Sequence, residues 1–148
     1  MEEKNLGYLL KTTSHYFKQC VNKSPVFQNH PEIQQGSSFV LHYLENHKNT
    51  NVYQKDFEKY FGFTKSTITG MLNGLEDQGY IRRLKENSDG RLRRIVLTPQ
   101  GLLLNEEIHQ AFQEAEEAVY RLFTAEEYLG LIANLEKVKK YLEVKLND

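Results

Sequence analysis

Residues that could hydrogen-bond another macromolecule follow one face of a helix predicted to begin directly after Thr64. Ile68, Met71, Leu72 and Leu75 recur at helical spacing, so this apolar face is expected to pack against the core. The opposite face carries small or polar residues, with Thr67 at its edge: Lys65, Ser66, Thr67, Thr69, Gly70 and Asn73. Hydroxyl and amide groups can bond base edges, and a short helix fits the major groove of duplex DNA. We therefore predict that this face contacts DNA.

An arginine-rich hairpin is predicted after this helix. Two β-runs, residues 80–85 and 92–98, are separated by Asn87-Ser88-Asp89-Gly90, which is a strong turn signal. Residues 82–94 contain six basic residues and two acidic ones. This local excess of positive charge favours a polyanionic partner. Four arginines of the hairpin can be interpreted in two ways: they contact DNA phosphates, or they cover the surface of the sheet and are solvated. These residues are Arg82, Arg83, Arg93 and Arg94.

Two glycines lie inside the predicted helix. Gly70 and Gly74 each cost about 1 kcal/mol of helix stability relative to alanine, so each needs a compensating reason. Close approach of DNA to the outward face is one such reason. Tight packing against another helix of the same chain is the other, and the two interpretations have equal weight.

Composition limits the class of protein. The chain has 148 residues, a formal net charge of −1 and a single cysteine, Cys20. This length suffices for one core without disulfides or metals. The first residues lack a secretory signal, and no apolar run approaches the ~20 residues of a membrane-spanning helix, so we expect a soluble cytoplasmic protein without membrane partners. Residues 99–148 hold ten acidic and five basic residues, so charge is polarised between this part and the hairpin.

Periodic apolar residues predict the helices that position these groups. The first helix covers residues 6–21, and Ser24-Pro25 and His30-Pro31 then predict an irregular connection. A second helix ends near His47, and a short third helix covers residues 54–60. The third helix and the one after Thr64 are joined by a short turn, which predicts a helix-turn-helix.

The C-terminal part is predicted to be entirely helical. Thr98-Pro99 has the residue types of a helix start, and the apolar series after it continues through Leu122. Thr124 and Glu127 fit a capping box that begins the last helix. The predicted fold class is therefore mainly α with a small β-hairpin wing: a winged helix-turn-helix flanked by N- and C-terminal amphipathic helices.

Several short motifs, together with the order of the elements, resemble a known family. They are Ser66-Thr67-Ile68-Thr69, Leu75 to Ile81, Asp89-Gly90-Arg91, and Leu97-Thr98-Pro99-Gln100-Gly101. These are similar to the recognition helix, its exit, the wing tip and the Leu-Thr-x-x-Gly junction of the MarR family of bacterial transcriptional regulators. The resemblance covers nearly the whole chain, and the wing tip with its junction is its most specific part.

The resemblance implies a homodimer that binds a pseudo-palindromic operator on double-stranded DNA and acts as a repressor. It divides the chain into an N-terminal dimerisation helix with its connection (1–35), a winged helix-turn-helix DNA-binding domain (36–98) and C-terminal dimerisation helices (99–148). Arg91 would enter the minor groove, while Arg93 and Arg94 would support the contact with phosphates. Asp89 is expected to orient Arg91 or a neighbouring arginine through a charge-assisted bond.

Regulators of this type respond to small lipophilic ligands, oxidants or zinc, and the sequence bears on each. A small organic effector is our leading expectation, with an aromatic lining of Tyr8, Phe17, Phe39 and Tyr43, although core packing explains these residues equally well. Redox sensing through Cys20 is an alternative, opposed by the interpretation of Cys20 as a buried small hydrophobe. The five histidines show no pair at one-turn spacing, so we predict no metal site and no cofactor.

Two other classes of function compete with a DNA-binding regulator. The sequence has no glycine-rich phosphate loop, and no histidine lies near a candidate nucleophile, so we predict that it is not an enzyme and has no catalytic residues. The other alternative is a winged-helix module that binds an acidic protein instead of DNA. Protein interfaces favour large aromatic residues, and the outward face from Lys65 to Asn73 has none.

Overall fold

A computed structural model describes residues 4–33 and 35–147, apart from the side chains of residues 35 and 60. Residues 1–3, 34 and 148, which belong to the predicted N- and C-terminal segments, lie outside the described residues. The elements follow in the order α1 (Leu6–Asn22), α2 (Pro25–Asn29), α3 (Gln35–Asn46), α4 (Gln54–Phe61), α5 (Lys65–Asp77), β1 (Ile81–Lys85), β2 (Arg93–Leu97), α6 (Pro99–Tyr120) and α7 (Ala125–Asn147). The prediction of a mainly helical chain with a small hairpin is confirmed.

A short helix, α2, lies where the sequence predicted an irregular connection. Ser24 is its N-cap residue and Pro25 its first residue, a position at which the missing N–H of proline leaves no bond unmade. Val26 and Phe27 of this helix are buried. The predicted irregular connection is therefore wrong for these residues, because Pro25 begins a helix here instead of ending one.

Helices α4 and α5 form the predicted helix-turn-helix. Gly62 has φ 64°, the left-handed conformation in which helices commonly end. Thr64 caps α5, since its Oγ1 accepts a hydrogen bond from the backbone N–H of Thr67 at 3.3 Å. Phe57 of α4 and Ile68 and Leu72 of α5 are fully buried. The apolar face predicted for α5 therefore belongs to the core, and its polar face stays at the surface.

The wing is a two-stranded antiparallel sheet in which Ile81 lies opposite Leu97 and Lys85 opposite Arg93. The backbone N–H of Ile95 also donates to the carbonyl of Val52 at 2.8 Å, which ties β2 to the segment before α4. Ile81 and Ile95 are buried. The base of the hairpin is thus part of the core, and its basic tip projects beyond it.

The junction between the wing and α6 depends on close backbone approach. Thr98 Oγ1 donates to the carbonyl of Gly79 at 2.7 Å and accepts from the N–H of Gly101 at 3.0 Å, so Thr98 caps α6 as predicted. A Cβ on Gly101 would lie 2.0 Å from the carbonyl oxygen of Tyr80. Only glycine permits this approach, which is the physical reason for the Leu-Thr-x-x-Gly pattern.

The chain forms two compact units, residues 1–111 and 112–148. In the second unit the N–H of Glu127 donates to Thr124 Oγ1 at 3.2 Å, and the N–H of Thr124 donates to Glu127 Oε1 at 3.1 Å, which confirms the capping box. The hydrogen bond from the Thr124 backbone to the Glu127 carboxylate, followed by the interaction with the Thr124 side chain, lowers the pKa of Glu127 below its usual value. No residue of α7 is buried, although its sequence is amphipathic. None of the helices in the described part of the chain could cross a membrane.

Candidate nucleic-acid interface

The first turn of α5 presents the predicted polar residues to solvent. Thr64 Oγ1 donates to Thr67 Oγ1 at 2.8 Å and lies 3.3 Å from Ser66 Oγ, so the hydroxyls of this turn form one network. Lys65, Ser66 and Thr67 are exposed. Backbone N–H groups at a helix start carry partial positive charge and suit an anionic partner such as a phosphate. This turn can therefore bind phosphate oxygens and base edges.

Gly70 and Gly74 lie on the exposed surface of α5 with free space before them. Beyond the adjoining backbone of α5, a Cβ on either residue would meet no heavy atom within 4 Å in the described part of the chain. The interpretation that these glycines allow tight packing within the chain is therefore wrong. Gly36 is the contrasting case, because its Cβ would come within 2.5 Å of Met71 Cε, on the inner side of α5. The open space before Gly70 and Gly74 can admit the surface of another molecule.

Thr69 forms two hydrogen bonds within the protein. Its Oγ1 donates to the carbonyl of Lys65 at 2.8 Å and accepts from Gln54 Nε2 at 2.9 Å. Gln54 is the first residue of α4, so this contact ties the starts of the two helices together. Sequence reasoning did not identify Gln54, because nothing in its spacing marks a contact fifteen residues away. Thr69 was predicted to contact DNA, but its side chain is half-buried and its hydroxyl already forms hydrogen bonds within the protein.

Asn73 belongs to a cluster with Glu76 and Arg83. Arg83 Nη2 donates to Asn73 Oδ1 and to Glu76 Oε1, both at 2.8 Å, and Arg83 Nε lies 3.1 Å from the same Glu76 oxygen. The hydrogen bonds from the Arg83 side chain, ahead of the one from its backbone, lower the pKa of Glu76 below its usual value. Arg83 thereby joins β1 of the wing to the last turns of α5. The sequence identified Arg83 only as a phosphate contact or a surface residue.

The wing tip is shaped by Asp89, through a hydrogen bond with Arg91. Asp89 Oδ1 accepts a hydrogen bond from the backbone N–H of Arg91 at 2.9 Å. The predicted charge-assisted bond that orients Arg91 is therefore present, with the backbone N–H of Arg91 as its donor, and aspartate commonly forms such bonds in tight turns. Arg91 is exposed at the tip, and Arg93 Nη1 donates to the Gly90 carbonyl at 3.4 Å.

Arg94 lies against the sheet instead of projecting from it. Its Nη1 donates to Asn51 Oδ1 at 3.3 Å, and its Nε lies 3.8 Å from Glu86 Oε1. The same Glu86 oxygen accepts from the hydroxyl of Tyr53 at 3.2 Å. These contacts join the wing to the segment before α4. These contacts favour the interpretation that Arg94 covers the sheet over the interpretation that it contacts phosphate.

A cationic cleft of about 190 Å³ lies between the start of α4 and the wing. Four basic side chains line it together with Gln54, namely Lys55, Arg83, Arg91 and Arg93, and none of the described residues that line it is a carboxylate. Positive charge that is concentrated in a cleft attracts polyanions over several ångströms. The cleft and the exposed face of α5 together form a surface that suits a nucleic-acid backbone and its bases.

The predicted effector residues lie on two helices. Tyr8 and Phe17 are half-buried on α1. Phe39 and Tyr43 of α3 both contact Phe61, at ring-centroid distances of 5.7 and 5.8 Å. The second pair therefore takes part in aromatic packing around α4.

The cysteine and the histidines bear on redox sensing and metal binding. Cys20 is exposed, so its interpretation as a buried hydrophobe is wrong. His42 and His109 stack across α3 and α6 with ring centroids 6.3 Å apart. Within residues 4–33 and 35–147, no group of three or more His, Cys, Asp or Glu side chains could hold a metal ion.

Comparison with known proteins gives consistent matches. A sequence model described as the MarR family matches residues 36–92. The chain is 26% identical over 148 residues to the HTH-type transcriptional regulator BilQ of Clostridioides difficile (strain CD3), with 94% of each chain covered. It is 31% identical over 100 residues to the uncharacterized HTH-type transcriptional regulator YwhA of Bacillus subtilis (strain 168), covering 66% of this chain and 70% of that protein. The crystal structure of the S. aureus MepR–DNA complex is similar with a TM-score of 0.81 and 28% identity, covering 93% of this chain and 98% of that one.

Proposed function

Because the chain belongs to the MarR family of transcriptional regulators, we propose that it is a repressor that binds a pseudo-palindromic operator as a homodimer. Membership in this family also confirms that the chain is not an enzyme. The observation that carries the proposal is the exposed face of α5, open at Gly70 and Gly74, beside a cationic cleft. The related MepR binds DNA in its crystal, which supports the same activity for this chain.

In the proposed complex, α5 enters the major groove and the wing reaches the adjacent minor groove. Five residues of α5 face base edges and phosphates directly: Lys65, Ser66, Thr67, Gly70 and Asn73. Thr69 contributes by holding the starts of α4 and α5 together. Arg91 inserts into the minor groove, where a guanidinium suits the negative potential, and Arg93 contacts phosphate. Arg94 supports the wing from behind.

We assign dimerisation to the helices outside residues 36–98, in segments 1–35 and 99–148. Apolar side chains that are exposed in the single chain support this assignment, including Leu9 of α1 and Leu135 and Leu142 of α7. A two-fold axis would place two copies of α5 roughly 34–36 Å apart, one helical turn of DNA. The operator would then carry two inverted half-sites.

We also propose that a small organic effector lowers the affinity for DNA, bound beside Tyr8, Phe17, Phe39 and Tyr43. The alternative is an oxidant that acts on Cys20, and a specific observation favours it, namely that this thiol is exposed. A thiol titration of the native protein, followed by operator binding with and without peroxide, separates the two. Unchanged binding after oxidation of Cys20 would leave the organic effector as the mode of regulation.

The test of DNA binding uses duplexes from upstream of the gene that encodes the chain. We expect specific binding, and we expect Arg91→Ala to weaken it by about tenfold or more, because a groove-inserted arginine contributes roughly 1–3 kcal/mol. Arg121→Ala removes the same charge from an exposed position beyond α6 and should leave affinity nearly unchanged. Full affinity in Arg91→Ala would refute the wing-tip role. Failure of the native chain to bind any duplex would favour the protein-interaction module.

A further inference from the structure

The amide oxygen of Asn73 is held by Arg83 at 2.8 Å. A guanidinium carries only hydrogen-bond donors, so it can pair with the oxygen of an amide and not with its nitrogen. The orientation of the Asn73 amide therefore follows from the chemistry of its partner. Its Nδ2, with two N–H donors, is on the side away from this bond.

Arg83 is itself fixed on α5. Glu76 accepts from Nε and Nη2 of Arg83 through Oε1, and from the Arg83 backbone N–H through Oε2 at 2.9 Å. Charge-assisted bonds of this kind are stronger than neutral ones, and a pair with two side-chain contacts fixes direction as well as distance. Asn73 and Glu76 are three residues apart and lie on neighbouring turns of one helix face. Arg83 thus bridges two positions of α5 from a strand of the wing.

We propose that Arg83 is a specificity-determining positioning residue, which holds Asn73 so that the amide presents only its N–H donors to a base. This inference rests on the proposed function and deepens it. In the major groove, guanine, adenine and thymine offer acceptor atoms, whereas cytosine offers an amino donor. A fixed amide rejects cytosine at the contacted position, while a freely rotating amide can turn its oxygen toward it.

The surroundings of Asn73 make this contact sterically accessible. Asn73 is exposed, and Gly70 and Gly74 lie one turn before it and directly after it. Among the described residues, no heavy atom outside the adjoining α5 backbone lies within 4 Å of a Cβ position on either glycine, so the space beside the amide is open to a base edge. The protein therefore supplies an oriented donor in an open part of the helix face.

The test is a selection of operator sequences from random duplexes by the full-length chain and by three variants. Arg83→Met removes the donors that hold Asn73, Asn73→Ala removes the amide, and Arg82→Met changes the adjacent exposed arginine as a matched control. We expect Arg83→Met and Asn73→Ala to lose about tenfold discrimination against cytosine, at one and the same position of each half-site. Arg82→Met should keep the native preference at that position. Replacing a purine there by its 7-deaza analogue should weaken native binding and leave Asn73→Ala unaffected.

Three results would overturn the inference. Unchanged base preference in Arg83→Met is the first. The second is an equal loss of affinity for all sequences with a shallower salt dependence, which would make Arg83 a phosphate contact. The third is selection of no sequence by the native chain, which refutes the proposed function and this inference with it. Glu76→Gln serves as a second variant if Arg83→Met does not fold, since it loosens the same bridge and should relax the same position to a smaller extent.

Discussion

Gly70 lies in the middle of α5, where glycine lowers helix stability by about 1 kcal/mol relative to alanine. Apart from the adjoining backbone of α5 itself, the added Cβ of Gly70→Ala would meet no heavy atom of the described residues within 4 Å. We therefore expect Gly70→Ala to raise the free energy of unfolding by about 0.5–1 kcal/mol, measured in urea. The same methyl group would stand between α5 and the groove, so operator affinity should fall by about tenfold, or 1.4 kcal/mol.

Gly130→Ala is the matched control for this substitution. Gly130 is also an exposed glycine within a helix, and its Cβ would likewise have open space. It should therefore gain similar stability without any loss of DNA affinity. If Gly70→Ala bound the operator as well as the native chain does, close approach of DNA would not explain the glycine.

At the residue scale, the sequence predicted which side chains of α5 face outward but not which of them have partners. Helical periodicity separates the buried Ile68 and Leu72 from the exposed Ser66, because burial follows a period that the sequence displays. The bonds of Thr69 to Gln54 and of Asn73 to Arg83 join separate elements, and their geometry depends on packing. A pattern along one helix contains no information on such contacts.

At the element scale, the Glu76–Arg83 pair joins α5 to the wing and makes their attachment sensitive to pH. The pKa of Glu76 is lowered in the folded chain from an ordinary value of 4.5, so folding favours the carboxylate. Its contribution to stability is full above pH 4.5 and is lost as the pH falls through the lowered folded-state pKa. We expect the difference in unfolding free energy between the native chain and Glu76→Gln to be largest at neutral pH and to shrink as the pH falls below 4.5.

Urea unfolding between pH 7 and pH 3 would measure this difference. Asp77→Asn removes a carboxylate from the next residue of α5, outside the contact with Arg83, and serves as the control. Glu76 is partly exposed, so water and salt screen the pair and the effect should also decrease at high ionic strength. A difference between native chain and Glu76→Gln that stayed constant over this pH range would contradict the role of the carboxylate.

The elements themselves were predicted well wherever a local signal marks their ends. Thr64, Thr98 and Thr124 cap α5, α6 and α7 through hydrogen bonds that span only three residues. Helix α2 was not predicted, because Ser24-Pro25 is equally compatible with a break after one helix and with the start of another. The burial of Val26 and Phe27 decides between these interpretations, and burial depends on the folded structure, which the local sequence does not display.

At the scale of the whole molecule, the apolar residues of α7 are only partly buried in the single chain. Leu131, Ile132, Leu135 and Leu142 recur at helical spacing, yet between 37% and 48% of each residue's surface is exposed. Exposed apolar stripes of this length usually mark interfaces. The acidic C-terminal part also suits a place away from DNA, because like charge keeps it from the phosphates while the basic wing approaches them.

The homodimer proposed above can be tested on this stripe. Leu135→Glu places a charge among the apolar residues, where burial against a second copy would desolvate it, so we expect a monomer of 17.4 kDa in analytical ultracentrifugation. Ala133→Glu adds the same charge to an exposed position on the opposite face of α7 and should sediment as the native chain does. Because each monomer retains α5 and the wing, Leu135→Glu should still bind a single half-site weakly. It should lose the large increase in affinity that a dimer obtains by binding two half-sites at once. A native chain that sedimented as a monomer, or a Leu135→Glu variant that stayed dimeric, would show that this face of α7 has another role.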